Sequence, residues 1–266
     1  MGYSLAGVVD AVGERVTHLR PGDRVVSLTP HAEYVVRSAV VSSPDQTPLV
    51  VGLPDDVSFD IAPYYPLVCG AVSWVEIEDA HPYDTVVILG QGLVGSLILQ
   101  VAKADGARNT IAIDMLDSRC RNAAEIGADH VVNAGRVDPV ETVRRLTNGV
   151  GADVVVYAVG GKAGPAAFEQ GVDMLGAGGL LHLVGLYEDT PLTLYSGKIQ
   201  KKRILGGYYG QDVDSRISRR ALDLLESGVI RTDLMTTHRL PFTEARDAYD
   251  LVYEQPDKAL GVLLDW

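Results

Sequence analysis

Three glycines and one aspartate carry the clearest chemistry in this 266-residue sequence. Gly90, Gly92 and Gly95 stand at G-x-G-x-x-G spacing in VVILGQGLVG, and Asp114 follows in TIAIDMLD. Glycines so spaced let main chain approach a pyrophosphate, while the helix behind them turns its free N–H groups toward the negative charge. A carboxylate at Asp114 can accept both hydroxyls of an adenosine ribose and would repel a 2′-phosphate, which favours NAD(H) over NADP(H). The loop residues Gln91, Leu93 and Val94 belong to the same expected cofactor site, with Met115 and Arg119 just beyond Asp114.

Such a loop works only between a strand and a helix. Val86, Val87, Ile88 and Leu89 read as a strand buried on both faces, and Leu97, Ile98, Val101 and Ala102 fall at helical spacing after Gly95. From Thr85 the pattern alternates: strand 85–89, helix 93–104, strand 110–113, helix 117–126, strand 130–132, helix 138–147, strand 153–158, helix 163–175, strand 180–184. This is the signature of an α/β fold with a doubly wound parallel sheet. Ligands of such sheets lie at the carboxyl ends of the strands, so Ala158, Val159, Gly160, Val184, Gly185 and Leu186 join the expected cofactor-binding set.

The segments outside this pattern are β-rich. Residues 7–12, the Arg24-Val25-Val26 run and Tyr34-Val35-Val36 read as short strands separated by proline and glycine turns, and 41–57 as a polar connection. Residues 58–62 and 67–77 read as helical. The tail reads as helix 215–227, strand 234–240, helix 243–253 capped by Thr243, and strand 261–264, with the last strands completing the N-terminal β unit.

A formal net charge of −12 argues against nucleic-acid or anionic-membrane partners. The cationic group Lys198, Lys201, Lys202 and Arg203 reads as a solvated sheet end. Two cysteines, Cys69 and Cys120, make neither a disulfide framework nor a structural-zinc pattern, so a reducing, cytoplasmic setting is expected. No apolar run is long enough for a membrane span, and the N-terminus lacks a signal pattern.

GVVDAVGERVTHLRPGDRVV, HAEYVV, VVILGQGLVGSLILQVAKADGA, AAEIGADHVVN, GADVVVYAVGG, GGLLHLVGL and ALDLLESGVIRTDLMTTHRLPFTEARDAYDLV together resemble the medium-chain dehydrogenase/reductase superfamily over almost the whole chain. The resemblance implies a nicotinamide-dependent oxidoreductase with a Rossmann domain at 71–209 and a truncated GroES-like catalytic domain formed by 1–70 and 210–266. It further implies main chain near Leu186 and Tyr209 facing the nicotinamide, and a homodimer through the last strands of the Rossmann sheet.

Departures from the family pattern bear on the chemistry. Where zinc-using relatives have a Gly-His-Glu run, this chain has Gly2-Tyr3-Ser4, and where they have a third ligand before Pro-Leu it has Tyr65-Pro66-Leu67. Phenols hold Zn²⁺ poorly at neutral pH, so no catalytic zinc and no metal ligands are expected. An arginine that relatives often offer to the pyrophosphate is replaced by Gly261. Without a metal, a hydroxyl or imidazole must stabilise the alkoxide and move the proton, and the candidates are Tyr3, Tyr65, Cys69, Ser73 and His31. The two tyrosines serve either as hydrogen-bond donors or as fillers of the metal's space. His31 serves either as acid/base or as a surface or cap residue. His18, His81, His182 and His238 read as turn or strand residues, and Ser4 and Glu33 as structural. The expected reaction is hydride transfer between NAD(H) and a small alcohol/carbonyl pair. The alternatives are NAD(P)H-dependent reduction of an enone or quinone C=C bond, and nucleotide binding without turnover.

Overall fold

The computed structural model describes residues 2, 4–39, 50–186, 190–207 and 215–266. The chain opens with β1 (Ser4–Val8), antiparallel to β2 (Arg24–Leu28), which pairs in turn with β3 (Val50–Gly52). Arg24 fastens the following loop to this sheet by donating to the carbonyls of Pro54 at 3.1 Å and Asp55 at 2.9 Å, with its guanidinium over the Phe59 ring. A 3₁₀ turn, Ala62–Tyr64, leads into the buried helix α1 (Tyr65–Glu78).

The alternating part follows as β4 (Thr85–Leu89), α2 (Leu93–Ala104), β5 (Asn109–Asp114), α3 (Asp117–Glu125), β6 (His130–Asn133), α4 (Pro139–Leu146), β7 (Ala152–Tyr157), α5 (Gly164–Met174), β8 (Leu175–Leu183) and β9 (Arg203–Gly206). Its six strands are all parallel, in the order β6-β5-β4-β7-β8-β9. Every residue of β4 is buried. The reason is visible in the two cores. Val86 and Ile88 pack on one face of the sheet with residues of α1 and α2, while Val87 and Leu89 pack on the other with Phe168 and Val172 of α5. Alternate residues thus fill opposite cores, as the two-residue repeat of a strand requires. The order reverses between β5 and β7 on either side of β4, which puts a crevice at the end of β4.

The tail supplies α6 (Ser215–Glu226), α7 (Thr232–Met235), β10 (Thr236–Pro241), α8 (Ala245–Glu254) and β11 (Gly261–Asp265). Expected strands and helices in 85–186 recur within a few residues of their expected bounds. The β-rich ends depart further. Tyr34–Val36 form no strand, and Tyr34 and Val36 are 77% and 95% exposed; no described strand lies alongside to take their ladder bonds. Ala11 and Val12 lie beyond the end of β1. β10 and β11 pair with each other in parallel as a separate two-stranded sheet and do not join the N-terminal sheet. Thr243 sits inside a 3₁₀ turn, Phe242–Glu244, and α8 starts from Glu244 with no side-chain cap. The cationic run bonds more than expected. Lys198 pairs with Asp173 at 2.8 Å and Lys202 donates to the Val172 carbonyl at 2.6 Å, near the C-terminus of α5, where positive charge is favoured.

Candidate active site

The glycine loop joins β4 to α2 at the crevice. Gly90 has φ +88°, a left-handed conformation, and a side chain there would meet the Ala158 carbonyl at 2.8 Å. A methyl group on Gly95 would run into the Gly90 carbonyl, so α2 begins pressed against the turn. Gly92 caps α2 in an extended conformation without any side-chain hydrogen bond, and the first turn carries no acid. The N–H groups of that turn are therefore free for an anion.

Asp114 ends β5 beside this loop. One carboxylate oxygen accepts the Gln91 N–H at 2.8 Å and the other accepts the Leu116 N–H at 2.9 Å. An ionised carboxylate has about four acceptor positions, so two remain for the vicinal hydroxyls of a ribose. Arg119 reaches back along α3 to stand 3.7 Å from Asp114 and about 4 Å from the space above Gly92. Its Nε and the buried Oε1 of Gln91 have no hydrogen-bond partner among the described residues. Beneath the loop, the Ser96 hydroxyl donates to the Gln91 carbonyl, and Gln100 bridges from Ser96 to the Arg231 N–H at 2.7 Å. A polar thread thus ties the loop helix to the tail.

The neighbouring strand ends close on the same crevice. Ala158 donates to the Leu89 carbonyl at 2.9 Å, and Val184 and Gly185 both donate to the Tyr157 carbonyl at 3.0 and 2.7 Å. A Cβ on Gly160 would lie 3.3 Å from the Leu186 carbonyl. Gly90–Gly95, Asp114, Arg119, Ala158–Gly160 and Val184–Leu186 are therefore gathered at the carboxyl edge of one sheet. Met115 is there too, exposed at the start of the loop after Asp114. Tyr209 lies outside the described residues.

The proton-exchange candidates are not gathered. A cavity of ≈ 1090 Å³ runs from the N-terminal sheet to β11 and touches the end of the glycine loop at Leu93. His31 lines it; Tyr65, Cys69 and Ser73 do not. The Tyr65 hydroxyl is 2.7 Å from the Ser218 hydroxyl of α6, and the side chain is buried between α1 and α6. Burial pushes its phenol well above the ordinary tyrosine range. Cys69, one turn along α1, is 2% exposed, and burial pushes its thiol up to about 12, which makes it inert as a thiolate at neutral pH. Ser73 is half-buried further along α1. Tyr3 lies outside the described residues.

His31 sits 3.3 Å from the Tyr249 hydroxyl of α8, which also accepts the Gly2 N–H at 3.3 Å. Burial holds its imidazole below the ordinary value of 6.5. Tyr249 went unrecognised in the sequence because it reads there only as part of an amphipathic helix. At Gly261 the place is taken: the Tyr64 hydroxyl fills the space a side chain would need, hydrogen-bonded to Thr236 at 2.7 Å. His182 is no ordinary strand residue. Its Nδ1 is 2.8 Å from the Glu78 carboxylate, both are fully buried, and burial raises the Glu78 carboxyl above its usual range.

Comparison with known proteins identifies the family. The zinc-binding dehydrogenase family model matches residues 94–227. An alcohol dehydrogenase of Geobacillus stearothermophilus is 29% identical over 276 aligned residues, covering 94% of this chain and 78% of the relative. An L-threonine 3-dehydrogenase of Bacillus subtilis is 28% identical with the same coverage. Among solved structures, the alcohol dehydrogenase TADH from Thermus sp. ATN1 superposes with a TM-score of 0.78 at 27% identity, over 99% of this chain and 83% of that one. With residues 94–227 matched by the family model and its fold shared with the Thermus enzyme over nearly the whole chain, the chain belongs to the zinc-binding dehydrogenases of the medium-chain dehydrogenase/reductase superfamily and is an oxidoreductase of that type.

Proposed function

We propose that the chain transfers hydride between NAD(H) and a small alcohol/carbonyl substrate without a catalytic zinc ion. The observation that carries the cofactor reading is the Asp114 carboxylate, anchored by two main-chain N–H groups beside the glycine loop with acceptor positions to spare. A 2′-phosphate placed there would meet that charge at close range. Bound nicotinamide supplies the hydride acceptor or donor; the chain's residues supply the rest. The free N–H groups at the start of α2 and the Arg119 guanidinium bind the pyrophosphate, Asp114 orients the ribose, and the Ala158–Gly160 and Val184–Leu186 main chain walls the nicotinamide end.

Among the described residues, the donors at the family's ligand place do not suit Zn²⁺. The Tyr65 phenol at the family's ligand place is engaged with Ser218, its proton is held by burial, and the nearest thiol is buried and protonated. The role left to the protein is to exchange a proton with the substrate oxygen, and we assign it to His31, the histidine of the cavity that meets the loop at Leu93. In this reading residues 1–70 and 210–266 shape the substrate side and 71–209 the cofactor side, and two chains pair through the β9 edge.

The test is NADH oxidation across ketones, aldehydes, enones and quinones, with metal analysis of the active protein. Turnover of ketones or aldehydes with NADH in zinc-free protein supports the proposal. Turnover confined to enones or quinones with NADPH, or activity that tracks bound zinc, overturns it.

A further inference from the structure

Beside Asp114 lies a second pocket, ≈ 530 Å³, which shares Met115 with the expected cofactor site and is otherwise given no role in the reading above. Its walls are Met115 after β5, Asp117 and Arg121 on α3, Asn133 at the end of β6, Arg136 just beyond it, and Asp257 from the tail. β5 ends at Asp114 and the pocket's lining begins at the next residue, Met115, so the pocket adjoins the place that the cofactor reading gives to the adenosine ribose. Two arginines and the Asn133 amide are donors of the kind a phosphate site uses, while the Ser118 hydroxyl in the same wall is engaged with the Asp257 carbonyl. What this pocket has in addition is Asp117. One of its carboxylate oxygens accepts the Asn133 amide at 2.6 Å, and the other is paired with the Arg136 guanidinium.

We propose that Asp117 is a specificity-determining residue, which excludes NADP(H) by occupying Arg136 and placing a second negative charge in the 2′-phosphate's place. The inference rests on the NAD(H) reading and deepens it. The pair does little for the fold: Arg136 and Asp117 side chains are 69% and 47% exposed, and ion pairs so open to water add little stability. Its effect falls on the ligand. With Asp117 present, Asp117 and Asp257 offset Arg121 and Arg136, and a phosphate dianion gains nothing from entering. With Asp117 neutral, the pocket carries an excess positive charge and Arg136 turns to the phosphate.

The experiment titrates the protein with NADH and NADPH by nucleotide fluorescence, for wild type, Asp117→Asn, Asp117→Ser and Asp117→Asn/Arg136→Ala. Asp117→Ser keeps an acceptor for Asn133 and a good helix-starting residue, so a folding defect in one variant leaves the other readable, with thermal melts as control. Either single variant is expected to raise the ratio of NADPH to NADH affinity about tenfold, the size of one removed charge near a dianion in a solvated pocket. Arg136→Ala in addition removes that gain, and raising the salt to 0.5 M shrinks it. A wild type that prefers NADH, with a ratio unmoved in both well-folded single variants or a gain untouched by Arg136→Ala, overturns the role of Asp117 and leaves the cofactor reading standing. A wild type that prefers NADPH overturns the cofactor reading, and this inference with it.

Discussion

At Asp114 the geometry is specific enough to give a number. Hydrogen bonds to a charged group contribute about 1.5–3 kcal/mol each, so Asp114→Ala is expected to weaken NADH binding by about tenfold or more, read by calorimetry. His31 calls for a pH profile. Its folded pKa lies below 6.5, so the protonated donor is lost as pH rises through that lowered value. Carbonyl reduction at fixed NADH should therefore fall with rising pH across that window, and alcohol oxidation should rise. His31→Gln should remove the inflection and cost about a hundredfold in kcat, the usual share of general acid–base catalysis. Tyr65→Phe should behave differently: the loss of the bond to Ser218 costs about 1 kcal/mol in a urea melt and leaves kcat within about threefold. Asp114 stands out in the sequence by its spacing from the glycine loop, whereas Tyr65 is singled out only through the resemblance, and its hydroxyl turns to Ser218 of α6. The direction of a helical side chain depends on what packs over it, and Ser218 stands 153 residues away.

Among the elements, α1 is tied at both ends to parts of the chain more than a hundred residues away. Its N-terminal turn holds Tyr65 against α6, and near its C-terminus Glu78 reaches His182 on β8. A carboxyl whose folded pKa is raised contributes stability fully below its unfolded value, near 4.5, and loses it as pH rises through the folded value. The stability cost of Glu78→Gln should therefore be larger at pH 5 than at pH 8, measured by denaturant unfolding at both. Glu78→Ala leaves the buried His182 Nδ1 without its hydrogen-bond partner and should cost about 1–3 kcal/mol. The bounds of α2 were legible because both glycine turn and apolar period mark its start, whereas Tyr34–Val36 misled. That run has the composition of a strand, but a strand also needs a neighbour to take its backbone bonds, and composition does not report neighbours. The separate pairing of β10 with β11 escaped for the same reason.

At the scale of the molecule, the parallel sheet ends at β9, which is bonded on one side only, to β8, among the described residues. Arg203 and Ile204 are exposed there. If two chains pair along this edge, sedimentation should give twice the chain mass, and Ile204→Pro, which removes a main-chain donor, should return the monomer. No described helix is long and apolar enough to cross a membrane.

One small contact reaches further than its size suggests. The Ser118 hydroxyl donates to the Asp257 carbonyl at 2.7 Å, and Arg119 leans on the Pro256 carbonyl at 3.4 Å. The turn between α8 and β11 is thus a latch on α3 at the Asp114 side of the crevice, although it lies far along the chain from Asp114. Proteolytic nicking at that turn, or a bulky epitope inserted there, should register first as a loosened grip on nucleotide, with the hydride-transfer step itself unaltered at saturating cofactor.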